Sequence, residues 1–456
     1  MQSVQPKNGY GMTVAACLWL GLFPLLQGGT YASITRDKWT IMLALSAFTL
    51  VCFAADGILL RVRNRENMLS VPRCLPLTLA GALLLWTVLS CLCSLNGPGV
   101  WWLGESARRE GLSTQLCYFL LFACFFFARV RLKPVLLSAA AGVTVFFVVV
   151  LLQRTGNNPL GLYPAGRSFA TNYEFQGTIG NIDMCVGYLV LLCGLFLYGL
   201  VDFFSGRRSA RDEASSSPDH PDHPGRPGLL RNILFPAVLL TGLALSVFLI
   251  MTMDVQFGII SAAVLLVCTF LRFLPKKLRL PVLILLLVCV LLVVWFWPDD
   301  AAHGGIWELH EIFRGRARLS FGSNRLAVWK YSLGLAGESL LLGGGSGTFA
   351  ARFNQYLADH DLVIPREQDG KPLPDYFDNP HNEYISRLTD HGLPAMLLFM
   401  ALILLSVFRR REGWFPLLSP CSAAVLGYAV QAFFSFSVCI VAPMFWVLLG
   451  LSFREE

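Results

Sequence analysis

Charge is what this 456-residue chain has least of: 14 % of residues are charged and 55 % are hydrophobic. Soluble domains carry about a quarter charged residues, so a soluble enzyme is excluded. Other absences narrow the field further. The run Gly343-Gly344-Gly345-Ser346-Gly347 has no lysine in P-loop position, which rules out a nucleotide cradle and leaves close helix packing or a turn. None of the 13 cysteines lies in the long polar connection 298–391, so no disulfide framework is expected there, and the thiols read as small apolar residues. Ionisable groups within the apolar runs are few. Asp56 sits near the end of one, Asp183 opens another, and Asp254 stands with Gln256 in a tight turn. A proton or ion relay needs more than that at mid-membrane. No internal repeat supports the inverted-repeat transporter plan.

What the chain has instead is apolar length. About twelve runs approach the roughly 20 residues that span a bilayer: 12–26, 39–60, 75–94, 114–128, 134–152, 180–201, 232–252, 256–271, 280–297, 392–408, 414–433 and 436–453. The expected fold is all-α, a polytopic integral membrane protein whose first run is kept rather than cleaved as a signal peptide. Nineteen Lys and Arg side chains fall in the even-numbered connections against six in the short odd-numbered ones. By the positive-inside rule both termini are then cytoplasmic, in the cell membrane. The net charge of +7 follows from that topology and does not point to nucleic acid.

Two connections are long. The segment 202–231 is rich in Ser, Pro, Asp and His; Pro218 to Pro224 reads as disordered linker rather than metal site. The segment 298–391 divides the spans 1–297 from 392–456 and is expected outside. It holds enough Trp, Phe and Leu to pack as a helical cap, and ordered loops of that length are usually functional. Leu326, Trp329 and Leu333, at i, i+3 and i+7, predict a helix from Ser323.

The chemistry gathers in that cap. Asn379 suits a helix N-cap and Pro380 the first helical position, which predicts His381 in the first turn. A helix N-terminus keeps an imidazole neutral and favours a nearby anion, so His381 can act as a base beside a phosphate. Arg314, Arg316, Arg318 and Arg325 cluster in the cap, and Arg108 and Arg109 occupy the first large outer turn. Guanidinium forks suit a diphosphate. Ion pairing with Glu308 or Glu311 is the plain alternative for part of this set.

These residues fall into a pattern. Pro380 to Pro394 resembles the His-Asn-x-x-Leu…Glu-x-Gly-Leu signature of the O-antigen ligase and polymerase superfamily, with Asp390 and His391 where the family has Glu and a variable residue. Arg325 to Trp329 is similar to its Arg-x-x-x-Trp element, and Leu342 to Phe349 to its glycine-rich element. Gly177 to Asp183 resembles its Gly-Thr-x-Gly-Asn-x-Asn helix start, with Asp183 in place of asparagine, and Arg109 to Leu112 a turn of Gram-positive members. The resemblance covers roughly residues 100–450.

It implies a GT-C-like many-helix plan and metal-independent glycosyl transfer, without cofactor, from a polyprenyl-diphosphate-linked glycan to a glycan, lipid or protein hydroxyl. His381 would be the base and Arg325 would bind the diphosphate. Asn382, Tyr384 and Trp329 would line the substrate. Where many ligases carry a Ser-Arg pair, Met253 to Phe257 has no arginine, so a second clamp falls to Arg108, Arg109 or Arg318. Ligase, polymerase and protein-glycan transferase stay open. The rival from another class is a transporter or flippase of lipid-linked oligosaccharides, with its essential groups at Asp56 or Asp183.

Overall fold

The computed structural model describes residues 9–64, 75–216, 229–298, 304–364, 367–368, 371–372, 376–436 and 438–454. It is a helical bundle. The first apolar run is a broken helix: α1 (Tyr10–Cys17) continues through a π-turn and a 3-10 turn to Leu25. Then come α2 (Ile34–Asn64), α3 (Leu75–Leu92), the short α4 (Pro98–Leu103), α5 (Leu112–Phe127) and α6 (Leu132–Arg154). Next are α7 (Ile182–Ser216), α8 (Leu229–Met253), α9 (Gln256–Phe273) and α10 (Lys276–Trp295). Three cap helices follow, α11 (Gly305–Phe313), α12 (Arg325–Glu338) and α13 (Phe349–Asp359), and the bundle closes with α14 (Glu383–Phe408), α15 (Pro420–Ala432) and α16 (Ala442–Ser452). Among the described residues eight helices are long and apolar enough to cross a membrane, with shorter apolar helices beside them; each expected run overlaps a helix, but the last two, 414–433 and 436–453, hold only α15 and α16, of 13 and 11 residues. The chain is a polytopic all-α membrane protein.

A helix that is apolar all round has either protein or lipid around it. Both cases occur here. From Cys185 to Leu192, α7 is almost wholly enclosed, and it packs on α8 and α15. Gly194 allows α15 that close, since a Cβ there would stand 2.4 Å from the Ala424 backbone nitrogen. By contrast, α10 leaves Ile284, Leu285, Leu287 and Val290 exposed, as a peripheral helix facing lipid would.

The helix breaks are satisfied by side chains from elsewhere. Lys38 is fully buried and donates to the carbonyls of Phe23 (2.9 Å) and Pro24 (2.8 Å) at the end of the broken first helix. It is a cap inside the bundle, not the loop charge that the topology count makes it. The kink of α14 is at Gly392 (φ 80°), two residues before Pro394. A proline leaves the carbonyl four residues earlier without its helical partner. That carbonyl, Asp390 O, accepts from Ser90 Oγ (2.9 Å) and Gly345 N (2.7 Å), and Trp86 Nε1 takes the next, His391 O, at 3.1 Å. The glycine run is therefore the strap that closes around the kink, in line with the packing role expected of it.

Three further expectations change. Residues 202–216 continue α7 as helix instead of starting a linker, and 229–231 already belong to α8; the proline-rich part from 217 to 228 lies outside the described residues. On α12 the buried face is Ala327, Val328, Ser332, Leu335 and Ala336, while Leu333 is exposed. The polar Ser332 hides that face from an apolar count. Finally, α14 starts at Glu383 with Asn382 as its cap, three residues after the expected Asn379.

Candidate active site

The cap has its own small core, in which Val328 and Leu335 of α12 pack with Phe349, Phe353 and Leu357 of α13 and with Phe377. This holds α12 against the segment leading into α14. Trp329 Nε1 donates to the carbonyl of Pro380 (2.9 Å), which ties the helix that begins at Arg325 to the turn that carries His381.

His381 precedes the helix and has left-handed backbone (φ 49°), with its N–H donating to Asn379 Oδ1 at 2.8 Å. A non-glycine residue in that region is uncommon and concentrates at functional sites. Asn379 thus acts on His381, while Asn382 Oδ1 accepts from the Tyr384 and Ile385 amides, each at 3.0 Å. The half-buried imidazole stands edge-on to Phe436, with centroids 5.1 Å apart.

Phe436 also carries Arg108, whose guanidinium carbon lies 3.9 Å from the ring centroid. Arg108 is ion-paired to Asp378, and its enclosed Nε bonds nothing among the described residues. Arg325 lies over Phe257 at 4.4 Å and reaches Asp183 at 3.9 Å. Phe257 stacks on Phe434 at 4.6 Å, and Phe434 touches Trp329 at 6.1 Å. An aromatic floor of Phe257, Trp329, Phe433 and Phe434 therefore extends from beneath Arg325, and Phe436, two residues on in the chain, lies against both Arg108 and the histidine. Burial pulls the Arg325 guanidinium below its usual value and Asp183 opposes the pull.

A second charged layer adjoins the helix start. Glu383 and Arg387, both buried, pair at 2.8 Å one turn apart, and Arg387 lies 4.0 Å over Phe399. The Glu110 carboxylate accepts from Tyr118 (2.7 Å) and Gln115 (3.2 Å), and burial pushes it up to about 8, with the charge of Glu383 adding to the rise.

The remaining expected site residues lie elsewhere or are occupied. Arg109 has left-handed backbone and sits 5.6 Å over Trp39, its enclosed Nε bonding nothing among the described residues. Arg318 is exposed between α11 and α12. Tyr384 donates its hydroxyl to Ala429 O at 2.8 Å and packs on Phe399 and Phe433, so it is part of the floor rather than a free platform. Asn382 is buried, its oxygen spent on the cap. Arg316 pairs with Glu311, the plain alternative for that arginine. Among the described residues no cluster of three His, Cys, Asp or Glu is placed to hold a metal ion.

Sequence reasoning missed Asp378, Phe257 and the run Phe433-Phe434-Ser435-Phe436. The one available signal was that run's place, where an aromatic cluster ends a span.

Residues 241–400 match the family described as O-antigen ligase. The match contains Phe257, Arg325, Trp329 and His381, and leaves out Arg108 and Phe436. No curated protein sequence matches the chain.

Proposed function

We propose that this chain, a polytopic membrane protein whose residues 241–400 match the O-antigen ligase family, moves a glycan from a polyprenyl-diphosphate carrier to an acceptor hydroxyl on the outer face of the membrane. The observation that carries the reading is the Trp329–Pro380 bond, which fixes Arg325 and His381 in one frame. The Lys/Arg asymmetry of the short connections supports an outer position for that frame. There the lipid diphosphate supplies both the sugar and its activation.

In the reaction His381 takes the proton of the acceptor hydroxyl as its oxygen bonds to the anomeric carbon. The bond from that carbon to the diphosphate oxygen breaks, and its electron pair leaves on the diphosphate. Negative charge grows on the leaving group, so guanidiniums held rigidly beside it favour the transition state over the bound substrate. Arg325 fills that role, and Arg108 is the second clamp. The aromatic floor keeps water from the arginines and offers an apolar flank for a sugar face.

The test uses protein purified into liposomes with a polyprenyl-diphosphate oligosaccharide, following release of polyprenyl diphosphate. His381→Ala and Arg325→Ala should each lose release by about 100-fold or more. Full release by His381→Ala sinks the base role. A longer glycan as product identifies a polymerase and glycan on another acceptor a ligase. Passage of intact lipid across the bilayer without release replaces the reading with a flippase.

A further inference from the structure

We propose that Asp378 is a positioning residue that sets Arg108 and the His381 turn in a single geometry and gives up Arg108 when the donor diphosphate binds. The inference rests on the transferase reading above. Two routes join Arg108 to His381 and together form a closed ring. One passes through Phe436, which carries the guanidinium at 3.9 Å and the imidazole at 5.1 Å. The other passes through Asp378. One of its oxygens takes the ion pair from Arg108, and the other accepts from Asn379 Nδ2 at 2.6 Å. Asn379 Oδ1 in turn accepts from the His381 amide at 2.8 Å.

Asn379 is buried and Asp378 half-buried in this link. It spans the two segments that build the site, the turn 105–109 and the approach to α14. The same segments are joined again where the Tyr376 hydroxyl donates to Glu105. The backbone of His381 is left-handed, a conformation the chain adopts only where its surroundings impose it. Asn379 Oδ1 constrains that amide by accepting from it, and Asp378 orients the Asn379 side chain.

Asp378 also competes with substrate. Its carboxylate occupies one end of the Arg108 fork, while the enclosed Nε has no acceptor among the described residues. A diphosphate is a stronger partner for a guanidinium than one carboxylate. Two effects of the same residue therefore oppose each other. Its charge holds Arg108 away from the donor, and its hydrogen bond to Asn379 holds the base in place.

Three variants separate them. Asp378→Asn keeps an oxygen for Asn379 and removes the charge, so donor KM should fall severalfold with kcat within about threefold of wild type. Asn379→Ala keeps the ion pair and cuts the link, so kcat should fall about 10- to 100-fold with donor KM unchanged. Asp378→Ala should show both changes. A merely structural role would move kcat and KM together with the thermal midpoint. If Asp378→Ala does not fold, the contrast between Asp378→Asn and Asn379→Ala decides. The inference is overturned if Asn379→Ala keeps wild-type kcat, or if Asp378→Asn raises donor KM. Inactive His381→Ala and Arg325→Ala beside such results would leave the transferase reading standing. Active His381→Ala and Arg325→Ala would remove that reading itself.

Discussion

Replacing Arg325 by alanine removes two things that can be measured apart. It takes away a guanidinium aimed at the leaving diphosphate, and it strands Asp183, 3.9 Å away, without its partner. The first loss is a transition-state effect. Removing one preorganised donor to a developing anion costs roughly 3–4 kcal/mol, about 100- to 1000-fold in turnover. The second is a stability effect. The two side chains are 19 % and 17 % exposed, so the pair falls between a surface bridge and a buried one. Surface pairs contribute at most about 1 kcal/mol, and breaking a buried pair costs about 3–5, which puts this break at roughly 2 kcal/mol.

The double variant Arg325→Ala with Asp183→Asn tells the two apart. Asparagine keeps the shape of Asp183 and removes the stranded charge, and it is the residue that the resemblance leads one to expect at that position. Thermal unfolding in detergent should recover toward wild type in the double variant, while release of polyprenyl diphosphate at saturating donor should stay at least about 100-fold down. Recovery of turnover to within about tenfold of wild type would show that Arg325 acts only by neutralising Asp183, and the diphosphate role would be lost.

Two further outcomes test the frame around the site. At Gly392 (φ 80°) an added Cβ would lie 1.9 Å from the Leu341 carbonyl oxygen, so Gly392→Ala combines left-handed strain with a backbone clash. It should lower stability by roughly 3 kcal/mol or more in thermal unfolding, and an unchanged midpoint would refute the strapped kink. Glu110 bears on pH. Burial lifts its carboxyl to about 8, above the value it has unfolded, so its contribution to stability is complete below about pH 4.5 and is lost as pH rises through about 8. Glu110→Gln should flatten that decline in melting temperature between the two, and an equal decline in both proteins would refute the enclosed carboxyl.

The bundle was legible in the sequence because lipid makes it so. A bilayer demands apolar length and internally satisfied backbone, and those demands leave runs that can be counted one by one. The ends of the helices were not legible. Asn379 and Asn382 are equally good caps by residue type. What separates them is the Pro380 carbonyl, which goes to Trp329, and the Asn379 side chain, which turns back on His381. The first of these partners lies 51 residues away, beyond the reach of local rules. The arginines divide on the same ground. Arg316 has its carboxylate five residues away and Arg108 has one 270 residues away, so only the first pairing could be weighed from the chain alone. Phe433 was read as the end of one span, Phe436 as the start of the next and Phe434 as the connection between them, since nothing local distinguishes an aromatic facing lipid from one beneath a guanidinium.

The two carboxylates explain why a pair of arginines can sit in this frame at all. A guanidinium out of water needs a partner or a strongly favourable surface. Here each has both, Arg108 with Asp378 and Phe436, Arg325 with Asp183 and Phe257. On the proposed reading that arrangement keeps the site close to neutral before substrate arrives, and the donor's diphosphate then competes with two carboxylates. Weaker ground-state binding of the donor follows, but charge that develops only as the glycan leaves still meets both guanidiniums. Interactions that strengthen toward the transition state raise turnover, and uniform tightness does not. Asp183 and Asp378 would then keep the arginines in place until the donor arrives and releases them to the diphosphate.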